Sequence, residues 1–89
     1  MNRGQTVKEK VDIQNLHDLI KDIQNENWKA YVNFVKSGDM SKYNKDISSI
    51  VEEICSYPDK EVAKLVKEAN DFFVCGWAII VNEINTKRR

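Results

Sequence analysis

The ten residues 72–81 (Phe72-Phe73-Val74-Cys75-Gly76-Trp77-Ala78-Ile79-Ile80-Val81) carry no charge. They continue, with no stop signal, a segment whose apolar residues recur at helical spacing. A helix that is apolar on every side must be covered, either by its own domain or by another chain. The run is too short to cross a bilayer, which needs about 20 apolar residues. Its Phe, Val, Ile and Trp content also suits a buried strand. We prefer the helix, because the upstream pattern is helical and no convincing partner strand is present.

The segment 59–85 therefore reads as one helix. In its first half Val62, Leu65, Val66 and Ala69 face inward, while Lys60, Lys64, Lys67 and Glu68 face out. From Phe72 onward the apolar arc closes. Phe73, Gly76, Trp77, Ile80 and Ile84 continue the inner stripe. Phe72, Cys75 and Ile79 form one flank, and Val74, Ala78 and Val81 the other.

Three further helices are expected upstream. The first, 12–24, places Ile13, Leu16, Ile20 and Ile23 on one face, with Leu19 beside them. The Asn25-Glu26-Asn27 segment is expected to break or cap it, since Asn is a good N-cap. The second, 26–36, carries Trp28, Tyr31, Val32 and Val35 on one face and ends at Gly38, which can close a helix in the left-handed conformation. The third, 42–56, has Ser41 as its expected N-cap and an apolar stripe of Tyr43, Ile47, Ile50, Val51 and Ile54. Pro58 suits the following helix start, because it lacks an N–H and disfavours helix in the residue before it. Residues 1–11 are expected to be a flexible polar segment, though the alternation across 6–13 would also suit a strand. Residues 87–89 are expected to form a basic tail.

The expected fold is thus all-α: one small four-helix domain, 12–86, with the long C-terminal helix as its central element. A 27-residue helix reaches about 40 Å and a 15-residue helix about 22 Å. Antiparallel packing of the last two helices would leave about 18 Å of the longer one uncovered at the apolar run. Two short helices or a second chain must cover it. Gly76 would admit a neighbouring helix closely, or would serve packing inside the monomer. We expect Phe72, Cys75, Gly76, Trp77, Ile79 and Ile80 to form a chain–chain interface.

Charge excludes little. With 14 basic and 14 acidic residues the formal charge is zero, unlike a DNA-coating protein or an acidic DNA mimic. Residues 46–86 hold 3 basic and 8 acidic groups, an acidic side that solvation explains adequately. Abundant Asn, Lys and Ile hint at an AT-rich bacterial or phage genome. The N-terminus shows no apolar secretory segment, so a cytoplasmic protein is expected, with no membrane partner.

No catalytic constellation emerges. His17 is the only histidine, and Cys55 and Cys75 lack metal-ligand spacing, so neither a metal nor any other cofactor is expected. The two cysteines would lie about 24 Å apart along the last helix, too far for a disulfide. Glu52 and Glu53 are adjacent and cannot face each other on a helix. No glycine-rich phosphate loop is present.

A non-enzymatic protein-interaction module follows: a small regulator or inhibitor that self-associates through its last helix and binds another protein of unknown identity. One alternative is a small helix-turn-helix-like DNA-binding regulator, with Ser41, Lys42, Asn44 and Lys45 opening the recognition helix as the nucleic-acid contacts. Against it, 41–58 is net acidic and bulky Phe34 sits where such motifs need a small residue. A bacteriocin-immunity-type helical bundle is a further alternative, on size and class alone.

Overall fold

The computed structural model describes residues 12–88. It contains three helices: α1 (Ile13–Ser37), α2 (Met40–Cys55) and α3 (Lys60–Arg88). The all-α class is as expected, but the count of four is not. The expected helices 12–24 and 26–36 are one continuous helix of 25 residues.

The break expected at Asn25-Glu26-Asn27 fails for a tertiary reason. Asn interrupts helices by offering its side chain to nearby backbone as an alternative partner. Here the Asn27 side chain is fully buried and engaged. Its Nδ2 donates to the Ile23 carbonyl at 3.0 Å and to Asn70 Oδ1 of α3 at 2.9 Å. The helix therefore runs through the segment, and a cross-helix contact holds the side chain.

Aspartates start all three helices. The Asp12 carboxylate accepts from Asn15 N. The Asp39 carboxylate accepts from Lys42 N at 3.0 Å, so Asp39 caps α2 in place of the expected Ser41. Asp59 Oδ1 accepts from Glu61 N and Val62 N at 3.0 and 3.2 Å, satisfying two free N–H groups of α3. Gly38 ends α1 with φ 72°, and its N–H donates to the Phe34 carbonyl at 2.7 Å.

Only Gly38 and Asp39 separate α1 from α2, so the two must turn back on each other. They pack side by side along their length, with Phe34 near Tyr43 at the turn and Leu16 and Ile23 in one cluster with Ile50 and Ile54. A helix-turn-helix motif instead crosses its helices at about 90–120°. Helix α3 runs antiparallel to α2 and parallel to α1, giving an up-down-up bundle. The 25-residue α1 spans about 37 Å and lies along most of α3, covering on one side the length that α2 does not reach.

The core has two apolar clusters. Leu16, Ile23, Ile50, Ile54, Val62, Ala63 and Val66 form one. Ala30, Phe34, Tyr43 and Val81 form the other. The buried Asn27–Asn70 pair lies on the same α1 and α3 faces, between them in sequence. The pair is incompletely satisfied: Asn27 Oδ1 and Asn70 Nδ2 have no partner among the described residues.

Helix α3 runs three residues past the expected end at Asn85. Lys87 and Arg88 therefore belong to the helix and not to a tail. Arg88 Nη2 donates to the Val35 carbonyl at 2.8 Å, and its guanidinium stands 5.8 Å from the centre of the Phe34 ring. A cation there satisfies a free carbonyl in the last turn of α1 and meets the negative end of its dipole. Residues 1–11, with most of the possible strand at 6–13, lie outside the described residues, as does Arg89.

Candidate interaction surface

Only part of the apolar run is covered. On α3 the inward stripe is Val62, Val66, Asn70, Phe73, Trp77, Val81 and Ile84, all buried or half-buried. Gly76 and Ile80, expected on that stripe, turn outward, and Val81, expected on a flank, is buried. The centre of burial sits in the seam between α1 and α2, which draws Val81 toward Tyr43 and leaves Ile80 at the rim.

The expected flank of Phe72, Cys75 and Ile79 points away from both other helices. Phe72 is 80% exposed, Ile79 69% and Ile80 42%. Cys75 and Gly76 are exposed as well. At about 100° per residue these five positions cover one continuous band. The band turns from Cys75 and Ile79 through Phe72 and Gly76 to Ile80, on the side toward α1.

There α1 extends it. Trp28 is 51% exposed and packs against Trp77 and Tyr31, with ring centres 5.6 Å from each, while Tyr31 stacks on Trp77 at 4.5 Å. Of the six residues expected at an interface, Trp77 is the one held inside the chain, in this aromatic cluster. The other five share the outer band.

Gly76 sits at the middle of the band. Among the described residues, nothing comes within 4 Å of a Cβ built on it. Packing inside the monomer therefore does not account for a glycine here. A mid-helix glycine is less favourable than alanine by about 0.5–1 kcal/mol.

Residues proposed for other chemistry are scattered. His17 is exposed on α1. Cys55 and Cys75 are both free and exposed. Among the described residues no group of three or more His, Cys, Asp or Glu side chains is placed to hold a metal ion. Ser41, Lys42, Asn44 and Lys45 are exposed at the start of α2, and Lys42 Nζ is paired with Asp46 at 2.9 Å.

One charged cluster escaped the sequence. Glu26 of α1 and Glu53 of α2 meet across the helical seam close enough to hydrogen-bond, in a shallow groove that Asp22, Lys29 and Tyr57 also line. Partial burial, then the hydrogen bond to and repulsion from Glu53, raise the Glu26 carboxyl above its ordinary range, with Lys29 opposing. Burial, then the same carboxylates, raise the Tyr57 phenol. The adjacent pair Glu52 and Glu53 drew notice in the sequence; the facing pair is 27 residues apart and needs the helical hairpin.

No family model matches the chain, and no curated protein or solved structure matches it. Among the described residues, no helix is long and apolar enough to cross a membrane.

Proposed function

We propose that the chain is a non-enzymatic protein-interaction module whose contact surface is the outer band of α3. It works as a small regulator or inhibitor, self-associating and binding another protein through that band. The exposed set of Phe72, Ile79 and Ile80 carries the proposal. Single exposed apolar residues are ordinary on protein surfaces, but a contiguous patch marks an interaction site. Aromatic anchors such as Phe72 and Trp28 are the side chains that dominate binding hot spots.

The test pairs light scattering across a concentration series with capture of a binding protein, using wild type and the Phe72→Glu/Ile79→Lys double variant. Wild type is expected to associate and to capture its partner, and the double variant to do neither while keeping its helical signal. Equal behaviour of the two proteins would sink the proposal.

A further inference from the structure

We infer that the outer band of α3 is covered by a second copy of this chain, packed antiparallel across a two-fold axis at Gly76. The inference rests on the proposed contact surface and names its occupant and geometry.

Area comes first. Phe72, Ile79, Ile80 and Trp28 expose on the order of 500 Å² together, given about 200 Å² for a whole large side chain. Two copies would bury up to about 1,000 Å² from these residues, close to the threshold for a specific interface. Cys75, Gly76 and the stems of neighbouring polar residues add to that.

The pattern is also self-complementary, as a two-fold interface requires. Phe72 and Ile80 lie four residues either side of Gly76. An axis through Gly76 sets Phe72 over the partner's Ile80, beside Trp28, and brings the two glycines together where the helices cross. The open space over Gly76 is the notch that this close approach needs.

Charge then selects the direction. In a parallel pair in register, Glu68 would stand beside its own copy and the helix dipoles would align unfavourably, while Glu83 and Lys87, 3.6 Å apart within each chain, would offset each other. In the antiparallel pair Glu83 faces the partner's Ala69, and Lys87 faces the partner's Leu65. At the shallow crossing of about 20° usual in helical bundles, Lys87 then stands between the partner's Glu61 and Glu68. All three charged groups are exposed.

The wild-type protein is expected to show a concentration-dependent dimer in light scattering. Among the described residues a Cβ at position 76 meets nothing within 4 Å, so Gly76→Leu places its bulk on the open outer face; the variant should keep its helicity and dimerise at least about tenfold more weakly. Direction is read by crosslinking in a Cys55→Ser/Cys75→Ser background. Phe72→Cys and Ile80→Cys proteins, mixed and mildly oxidised, should give chiefly the mixed 72–80 disulfide. Two residues 72 would stand about 12 Å apart along the axis, beyond the roughly 7 Å Cα reach of a disulfide.

A wild type that stays monomeric up to about 1 mM overturns the inference, as do a dominant 72–72 product or a Gly76→Leu dimer of unchanged affinity. If that monomer still captures its partner and Phe72→Glu abolishes capture, the occupant is wrong and the contact surface stands. If capture is indifferent to Phe72→Glu, both fall.

Discussion

The two halves of α3 solve the same problem differently. From Lys60 to Asn70 the helix is sided: Val62, Ala63 and Val66 are buried, while Lys60, Lys64, Lys67 and Glu68 meet solvent. From Phe72 to Val81 both sides are apolar, yet only one is covered. Val81 is buried, whereas Phe72 and Ile79 stand on the opposite face. The bundle offers α3 two neighbours, and two neighbours cover about half of a helix's circumference. The first half of α3 has a sequence suited to two neighbours. The second half has a sequence suited to three, and its extra apolar face, exposed at Phe72, Ile79 and Ile80, is the one we propose for association.

The largest effect should come from the covered side. Ile23 and Val66 are fully buried in the first cluster. Ile23→Ala should lower unfolding free energy by about 2–5 kcal/mol, through lost transfer energy and the cavity left behind. Chemical denaturation measures it. A loss under about 1 kcal/mol would show that the cluster is loosely packed and that covered and uncovered faces differ less than the structure implies.

Next come the buried asparagines. Asn27→Ala leaves the Asn70 amide with no partner among the described residues, and should cost about 1–3 kcal/mol. Replacing both with Leu removes the two unmet amide atoms of this pair and should be near neutral or stabilising. The pair is then expected to act for specificity, fixing the parallel alignment of α1 against α3 as buried polar residues fix register in some other proteins. Heteronuclear NMR of the Leu/Leu variant checks this, and one sharp set of native-like resonances would refute the specificity role.

These asparagines also mark where the sequence stops being legible. The end of α1 and the turn between α2 and α3 were readable, because Gly38 and Pro58 act locally; the Asp39 cap of α2 and the run of α3 to Arg88 were not. The inward set Val62, Leu65, Val66 and Ala69 was readable as well, since it follows one period. Helix α1 was cut in two because Asn27 looks like a breaker when its partner, 43 residues away, is unseen. Both asparagines nevertheless fall in step with the buried stripes, Ile20-Ile23-Asn27-Phe34 and Val62-Val66-Asn70-Phe73. Following the period through them would have joined the halves. The choice between Ile80 and Val81 as the buried residue had no such signal. Ten apolar residues in a row carry no period, and only the positions of α1 and α2 decide which side is covered.

A cap should give a smaller effect. Asp59→Ala removes the acceptor for two N–H groups at the start of α3 and should cost about 1 kcal/mol. Thermal unfolding reads it. Equal stability of the variant would mean that water caps this end as well as the carboxylate does.

The facing carboxylates should act with the opposite sign. The folded protein holds the Glu26 proton more tightly than the unfolded chain, so charging Glu26 disfavours the fold. Its contribution improves as pH falls from neutral through the raised value toward the ordinary carboxylate range, and is unfavourable above it. Glu26→Gln should therefore stabilise the protein at neutral pH, by less than about 1 kcal/mol because the pair is partly solvated. It should also flatten the pH dependence of stability in the mildly acidic window. Denaturation midpoints across that window test it, and a variant less stable than wild type at neutral pH would show that the Glu26–Glu53 contact is net attractive.

The smallest expected effect decides the comparison. In dilute solution, where chains are separate, Phe72→Ser/Ile79→Ser should change unfolding free energy by no more than about 0.5 kcal/mol, as exposed substitutions do. Phe72 and Ile79 stand clear of both core clusters, so removing them opens no cavity in the monomer. At high concentration the same variant should lose whatever stabilisation association gives wild type, since binding to the folded state raises apparent stability by mass action. Wild-type midpoints should then rise with concentration while the variant's stay flat. If the variant is instead destabilised by about 2 kcal/mol or more at every concentration, the outer face belongs to a core within one chain. The two halves of α3 would then be covered alike.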